Sequence, residues 1–211
     1  MKTEDVIGTI ESVLKQFNAS EFMSEKIKID ALKPSATLPK GEIDQKKKDN
    51  VRDKLQNPLT ERLKLAFKKY YKQLKWDTEQ ELKTGYEDRA DILAIDPPNW
   101  EIIIEIDAAR ADQVAKKIVS RFTHISKSQT SNIVYMVLCY PGTKRMPLHD
   151  CKKYINYGEE LLKKVHGNAF FISAFVKKDK DTDKYKIEIE KIPQFSATPS
   201  PRPRKKRRCI P

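Results

Sequence analysis

The sequence predicts an α/β fold, a mixed β-sheet flanked by helices. Three observations carry that reading. The runs NIVYMVLCY (132–140) and AFFISAFV (169–176) are nearly unbroken in apolar residues, as in strands covered on both faces. Segments 109–125 and 150–165 repeat apolar residues at helical spacing. The elements follow one another as helix, three strands, helix, strand, helix, strand, strand, so that helices cross over between strands.

The first element is TEDVIGTIESVLKQF (3–17), where Val6, Ile10, Val13, Leu14 and Phe17 form one helical stripe and Thr3 is the cap. Residues 26–54 turn polar, with Pro34, Pro39 and the run DQKKKDN. Residues 1–55 therefore read as an N-terminal helical arm and polar linker, outside an α/β core of residues 56–195. Asn57 reads as the cap of the next helix, with Pro58 in its first turn and Leu63, Phe67, Tyr70 and Leu74 facing inward. Glu61 sits in that first turn, where an acid complements the helix dipole.

Residues 76–85 form a weakly patterned strand. RADILAID (89–96) and WEIIIEID (100–107) are strands joined by the turn Pro97-Pro98-Asn99, with Asp96 as turn former and Trp100 at the edge of the core. In the helix 109–125 the inner face is Ala111, Val114, Ala115, Ile118, Phe122 and Ile125. Pro141-Gly142 ends the strand 132–140, and Gly167 stops the helix 150–165. After the strand 169–176, a charged turn leads to the alternating strand YKIEIEKI (185–192). Residues 196–211 have four prolines, six basic residues and no acid, and read as a disordered basic tail.

Across the 211 residues, 42 Lys and Arg against 30 Asp and Glu give a net charge of +12, half of it from the tail. That sign favours a polyanionic partner, nucleic acid ahead of a membrane surface. Cys139, Cys151 and Cys209 lack metal-site spacing and read as reduced intracellular thiols. His124, His149 and His166 are scattered, as surface or helix-end residues are. No 18-residue apolar run and no signal-peptide core occur, so a cytoplasmic location is expected. Neither GxxxxGK nor GxGxxG is present, which argues against a nucleotide-driven enzyme.

Against this basic balance, RADILAIDPPNWEIIIEID places acids among isoleucines, where an unpaired carboxylate costs free energy. Strand alternation puts Glu101, Ile103, Glu105 and Asp107 on one face and Ile102, Ile104 and Ile106 on the other. A hairpin turning near Pro98 brings Asp91 opposite a position near Glu105. With strands about 4.8 Å apart, two such carboxylates can share a divalent ion. The following helix carries a polar stripe of Arg110, Gln113, Lys117 and Arg121.

An Asp heading a strand, followed after an apolar run by Glu-x-Lys, marks the PD-(D/E)XK nucleases, and this chain resembles that superfamily over residues 58–140. The element order matches as well: a helix, a three-stranded meander carrying the acids, a helix and a further strand. Two positions depart from the motif, with Ala90 in place of Pro and Asp107 in place of Lys. The resemblance implies the restriction-endonuclease-like fold and Mg²⁺-dependent hydrolysis of DNA phosphodiester bonds, with Mn²⁺ as a substitute. A type II restriction endonuclease is the first expectation, and such enzymes often act as homodimers. Asp91, Glu105 and Asp107 would bind metal, and Lys117 would replace the missing lysine, since Lys116 has a partner in Asp112. Arg110, Gln113 and the tail residues Arg202, Arg204, Lys205, Lys206, Arg207 and Arg208 would contact the nucleic acid. Two alternatives stay open. One is a catalytically inactive module of the same fold that binds nucleic acid, which Asp107 favours. The other is a structural ion-pair network.

Overall fold

A computed structural model describes residues 2–22, 50, 52–82, 88–108, 111–140, 148–182 and 184–193. The chain is α/β. Six strands form one mixed sheet in sequence order: β1 (Lys75–Glu81), β2 (Arg89–Asp96), β3 (Trp100–Asp107), β4 (Asn132–Cys139), β5 (Ala169–Lys178) and β6 (Tyr185–Lys191). β1, β2 and β3 are an antiparallel meander, β3, β4 and β5 run parallel, and β6 returns antiparallel. The parallel pairs need crossovers, supplied by α3 (Ala111–Lys127) and α4 (Leu148–Val165), which pack together on one face.

The other face is covered by α1 (Thr3–Gln16) and α2 (Asn57–Lys68). The sheet therefore has a core on each side, and the isoleucines of β3 serve both. Ile102, Ile104 and Ile106 pack toward α1 and α2, and Ile103 packs toward α3 and α4. Fully burying such a side chain is worth about 2 kcal/mol, so continuous apolar runs belong in central strands. Glycine at position 158 lets α4 approach this second core. A Cβ there would lie 2.9 Å from Ile118 Cδ1 and 3.1 Å from Phe171 Cε2. Among the described residues no helix is long and apolar enough to cross a membrane.

Several expectations are corrected. α1 is part of the core instead of an arm: Val6, Ile7, Ile10, Val13 and Leu14 are buried, and Val6 O accepts the Tyr71 hydroxyl at 2.9 Å. Asn57 does not cap α2, because a π-helical turn, Arg52–Gln56, runs directly into it. α2 ends at Lys68, which breaks the helical period beyond it. Tyr70 is consequently 55% exposed and Tyr71 is buried in its place. His124 is buried as well. The linker from residue 26 to 49 and the tail lie outside the described residues.

The ladder is interrupted around Asp91. β1 pairs Thr78 with Ile92 and Gln80 with Ala90, but skips Glu79, which has a φ of 51°. On the other side, pairing with β3 begins only at Ile92 with Ile104.

Candidate active site

β2 and β3 run antiparallel with Ile92 opposite Ile104, so the next residues outward, Asp91 and Glu105, face each other where the ladder stops. Asp91 takes over one missing ladder bond with its side chain, since Oδ2 accepts the Ile106 N–H at 2.7 Å. Asp107 follows Glu105 on the same face of β3. α3 crosses above this face, and four turns of regular helix set Lys117 and Arg121 one turn apart over the acids.

The structure brings together the four residues that the sequence singles out. Lys117 Nζ lies 2.8 Å from Asp91 Oδ2, 3.0 Å from Glu105 Oε2 and 3.6 Å from Asp107 Oδ2. It also donates to the Ile106 carbonyl at 3.5 Å. One cation therefore stands at the focus of four oxygens from two strands. Among the described residues, no three His, Cys, Asp or Glu side chains form a ready metal cage, and the oxygens converge on the ammonium.

Burial governs the electrostatics. Glu105 is fully buried, and desolvation, reinforced by the Asp91 charge, pushes its carboxyl up to about 7 against the pull of Lys117 and Arg121. Burial also raises Asp107. It would lower Lys117, but Glu105, Asp91 and Asp107 outweigh it and hold the ammonium well above the ordinary lysine value. Arg121 also pairs with Asp88 at 3.6 Å, so the cluster holds more acids than bases, while the raised Glu105 follows chiefly from its burial.

Two contacts were not foreseen as site interactions. Arg121, on the polar stripe of α3, is 4% exposed and bonds Glu105 Oε1 through Nε, and its Nη2 reaches the Arg89 carbonyl at 2.5 Å. Gln56, from the π-helical turn, donates to Asp91 Oδ1 at 3.4 Å and to the Ile106 carbonyl at 3.3 Å. Its own Oε1 accepts from the Tyr140 hydroxyl at 3.5 Å. Glu105 Oε2, although close to Lys117, makes no hydrogen bond in its buried position.

Other sequence candidates lie elsewhere. Glu101, on the same face of β3 but a turn of sheet away, is held by His124 at 2.5 Å and by the Ser128 hydroxyl at 2.8 Å. This contact is why His124 is buried. Glu61 is on the surface of α2, bonded to Lys64 and Thr78. Asp96 serves the turn, accepting the Asn99 N–H at 2.7 Å. Gln113 bonds its neighbour Asp112 and does not reach the cluster. Cys139 and Cys151 are buried free thiols. Arg110 and the tail residues Arg202, Arg204, Lys205, Lys206, Arg207 and Arg208 lie outside the described residues.

The donors are three carboxylates and a backbone carbonyl, all oxygen, the ligand type that hard divalent cations take, and here they are engaged by the Lys117 ammonium. No protein-family model, curated protein or solved structure matches the chain.

Proposed function

We propose that this chain is a Mg²⁺-dependent endonuclease that hydrolyses DNA phosphodiester bonds, with a restriction-endonuclease-like core and, within that class, type II restriction cleavage. The observation that carries the reading is the Lys117 ammonium surrounded by oxygens of Asp91, Glu105, Asp107 and the Ile106 carbonyl. Three acids and a carbonyl around one point offer the all-oxygen donors that a hard divalent cation takes. The element order also supports it, since α2, the meander β1–β3, α3 and β4 follow one another as in the PD-(D/E)XK pattern.

When bound, Mg²⁺ supplies charge stabilisation to the attacking and leaving oxygens of the phosphodiester. The chain's own residues do the rest. Asp91 and Glu105 hold the cation from facing strands, and Asp107 lies beside them as acceptor for a proton of the attacking water. Lys117, from α3, provides the positive charge that Asp107 cannot supply at the motif position. Arg121 fixes Glu105 by bonding one carboxylate oxygen and leaves the other facing Lys117. Gln56 holds Asp91 from the opposite side. The basic balance of the chain draws in the DNA backbone.

A second reading is a catalytically inactive nucleic-acid-binding module. It is favoured by Asp107. The pairing of the acids with Lys117 and Arg121 favours instead a structural ion-pair network, the reading left standing if neither cleavage nor DNA retention is seen. Incubation of supercoiled plasmid with the protein and Mg²⁺ or Mn²⁺ separates these readings. Nicking or linearisation that disappears in EDTA and in Asp91→Ala, at a rate at least about 100-fold below wild type, is the expected result. DNA retention without cleavage in either metal gives the binding module instead.

A further inference from the structure

We propose that Lys117 is a displaceable counter-ion, its ammonium holding the position that a divalent cation takes; when that cation binds, the ammonium moves outward to the mouth of the site, where it still supplies the charge assigned to it above. The proposal rests on the metal-dependent reading above and deepens it.

Three observations carry it. The first is position: Lys117 Nζ sits within 2.8 to 3.6 Å of an oxygen from each of the three acids, so it and a cation bridging those oxygens cannot occupy the same space. The second is charge. The three carboxylates Asp91, Glu105 and Asp107 gather on one face around a single monovalent ammonium, with Arg121 shared between Glu105 and Asp88, and a divalent ion in place of the ammonium brings more positive charge to them. The cluster therefore prefers the exchange on Coulombic grounds. The third is access. The Lys117 side chain is 22% exposed, against 9%, 0% and 8% for Asp91, Glu105 and Asp107. It alone has a route outward, and its flexible stem ends in a strongly hydrated ammonium that water receives at little cost. Arg121 has no such route: it is 4% exposed and anchored to the Arg89 carbonyl. It stays. Glu105 Oε2, buried and without a hydrogen bond, is the oxygen that gains most when the ammonium is replaced.

The test uses Mn²⁺ alone, without DNA. Binding is followed by calorimetry and by electron paramagnetic resonance of the free ion, in the wild type and in Lys117→Met. Removing a competing charge tightens Mn²⁺ binding roughly tenfold or more in Lys117→Met. Wild type that binds Mn²⁺ while Lys117→Met binds it no more tightly overturns the exchange and leaves the nuclease reading standing. Absence of Mn²⁺ binding in both proteins overturns both. A second measurement needs no variant. Acetylation of Lys117 by an N-hydroxysuccinimide ester, read by peptide mass spectrometry against exposed Lys116, rises several-fold on Mn²⁺ saturation; a constant ratio overturns the displacement.

Discussion

At the residue scale, the decisive quantity is how much charge β2 and β3 can bury. Glu105 has no exposure, and its carboxyl is pushed up to about 7 from an ordinary value near 4.5. A raised folded value means that the folded chain binds a proton more tightly than the unfolded chain does. The stabilisation is complete below about pH 4.5 and is lost as pH rises through about 7. Glu105→Gln does not titrate. Between pH 5 and 8, in metal-free buffer, wild-type stability should therefore fall relative to Glu105→Gln by about 2 kcal/mol, measured by urea unfolding. A pH-independent difference between the two proteins contradicts the raised carboxyl. The convergence of Asp91, Glu105 and Asp107 was legible in the sequence because strand alternation is a local rule, and Lys117 was singled out from its helical stripe through the resemblance. Gln56 was not, because its reach to Asp91 spans 35 positions and depends on a π-helical turn that no periodicity announces. His124 was missed for the same reason: its partner Glu101 lies across the junction of α3 and β3.

At the scale of elements, most strands and the crossover helices were readable, since β2 and β3 coincide with RADILAID and WEIIIEID and their mutual register follows from the short turn at Pro98. Element ends were harder. The sequence offered Asn57-Pro58 as a start, yet the chain is already helical from Arg52, and the end of α2 at Lys68 exchanged Tyr70 for Tyr71 as the buried aromatic. The second error comes from extending a period past the point where tertiary contacts stop it, and the first from reading Asn-Pro as a helix start where a helical turn already precedes it. The packing of α4 was also invisible, because a glycine within a helix reads only as a weak point. Its contacts with Ile118 and Phe171 make it a close approach. Gly158→Ala should therefore destabilise the chain by about 1 kcal/mol or more, overpacking outweighing the gain in helix propensity. A rise in melting temperature would mean that the two core side chains yield to the added methyl.

For the molecule as a whole, the sequence conveyed the α/β class and the sheet between helices but misjudged the first helix. Its stripe of Val6, Ile10, Val13 and Leu14 was seen, while the partner that buries it, β6 with α2, lies far along the chain. Charge is the other property at this scale. Of the net +12, residues 196–211 carry six positive charges. Under the nuclease reading, deleting them should weaken DNA binding at low salt and flatten the plot of log affinity against log salt, by up to about 5 in slope. Mn²⁺ binding should be unchanged, because the carboxylate cluster is built entirely within the core. An unaltered slope would place the electrostatic contacts on the folded part.

Under the metal-dependent reading, the break in pairing on both flanks of Asp91 bears on ion choice. Where rungs are missing, fewer backbone hydrogen bonds resist a shift of a few tenths of an ångström, and such shifts separate a bond length of about 2.1 Å for Mg²⁺ from about 2.4 Å for Ca²⁺. A seam of that kind would sort divalent ions by radius only weakly. It leaves discrimination to ligand hardness and to the readiness of each ion to shed its waters.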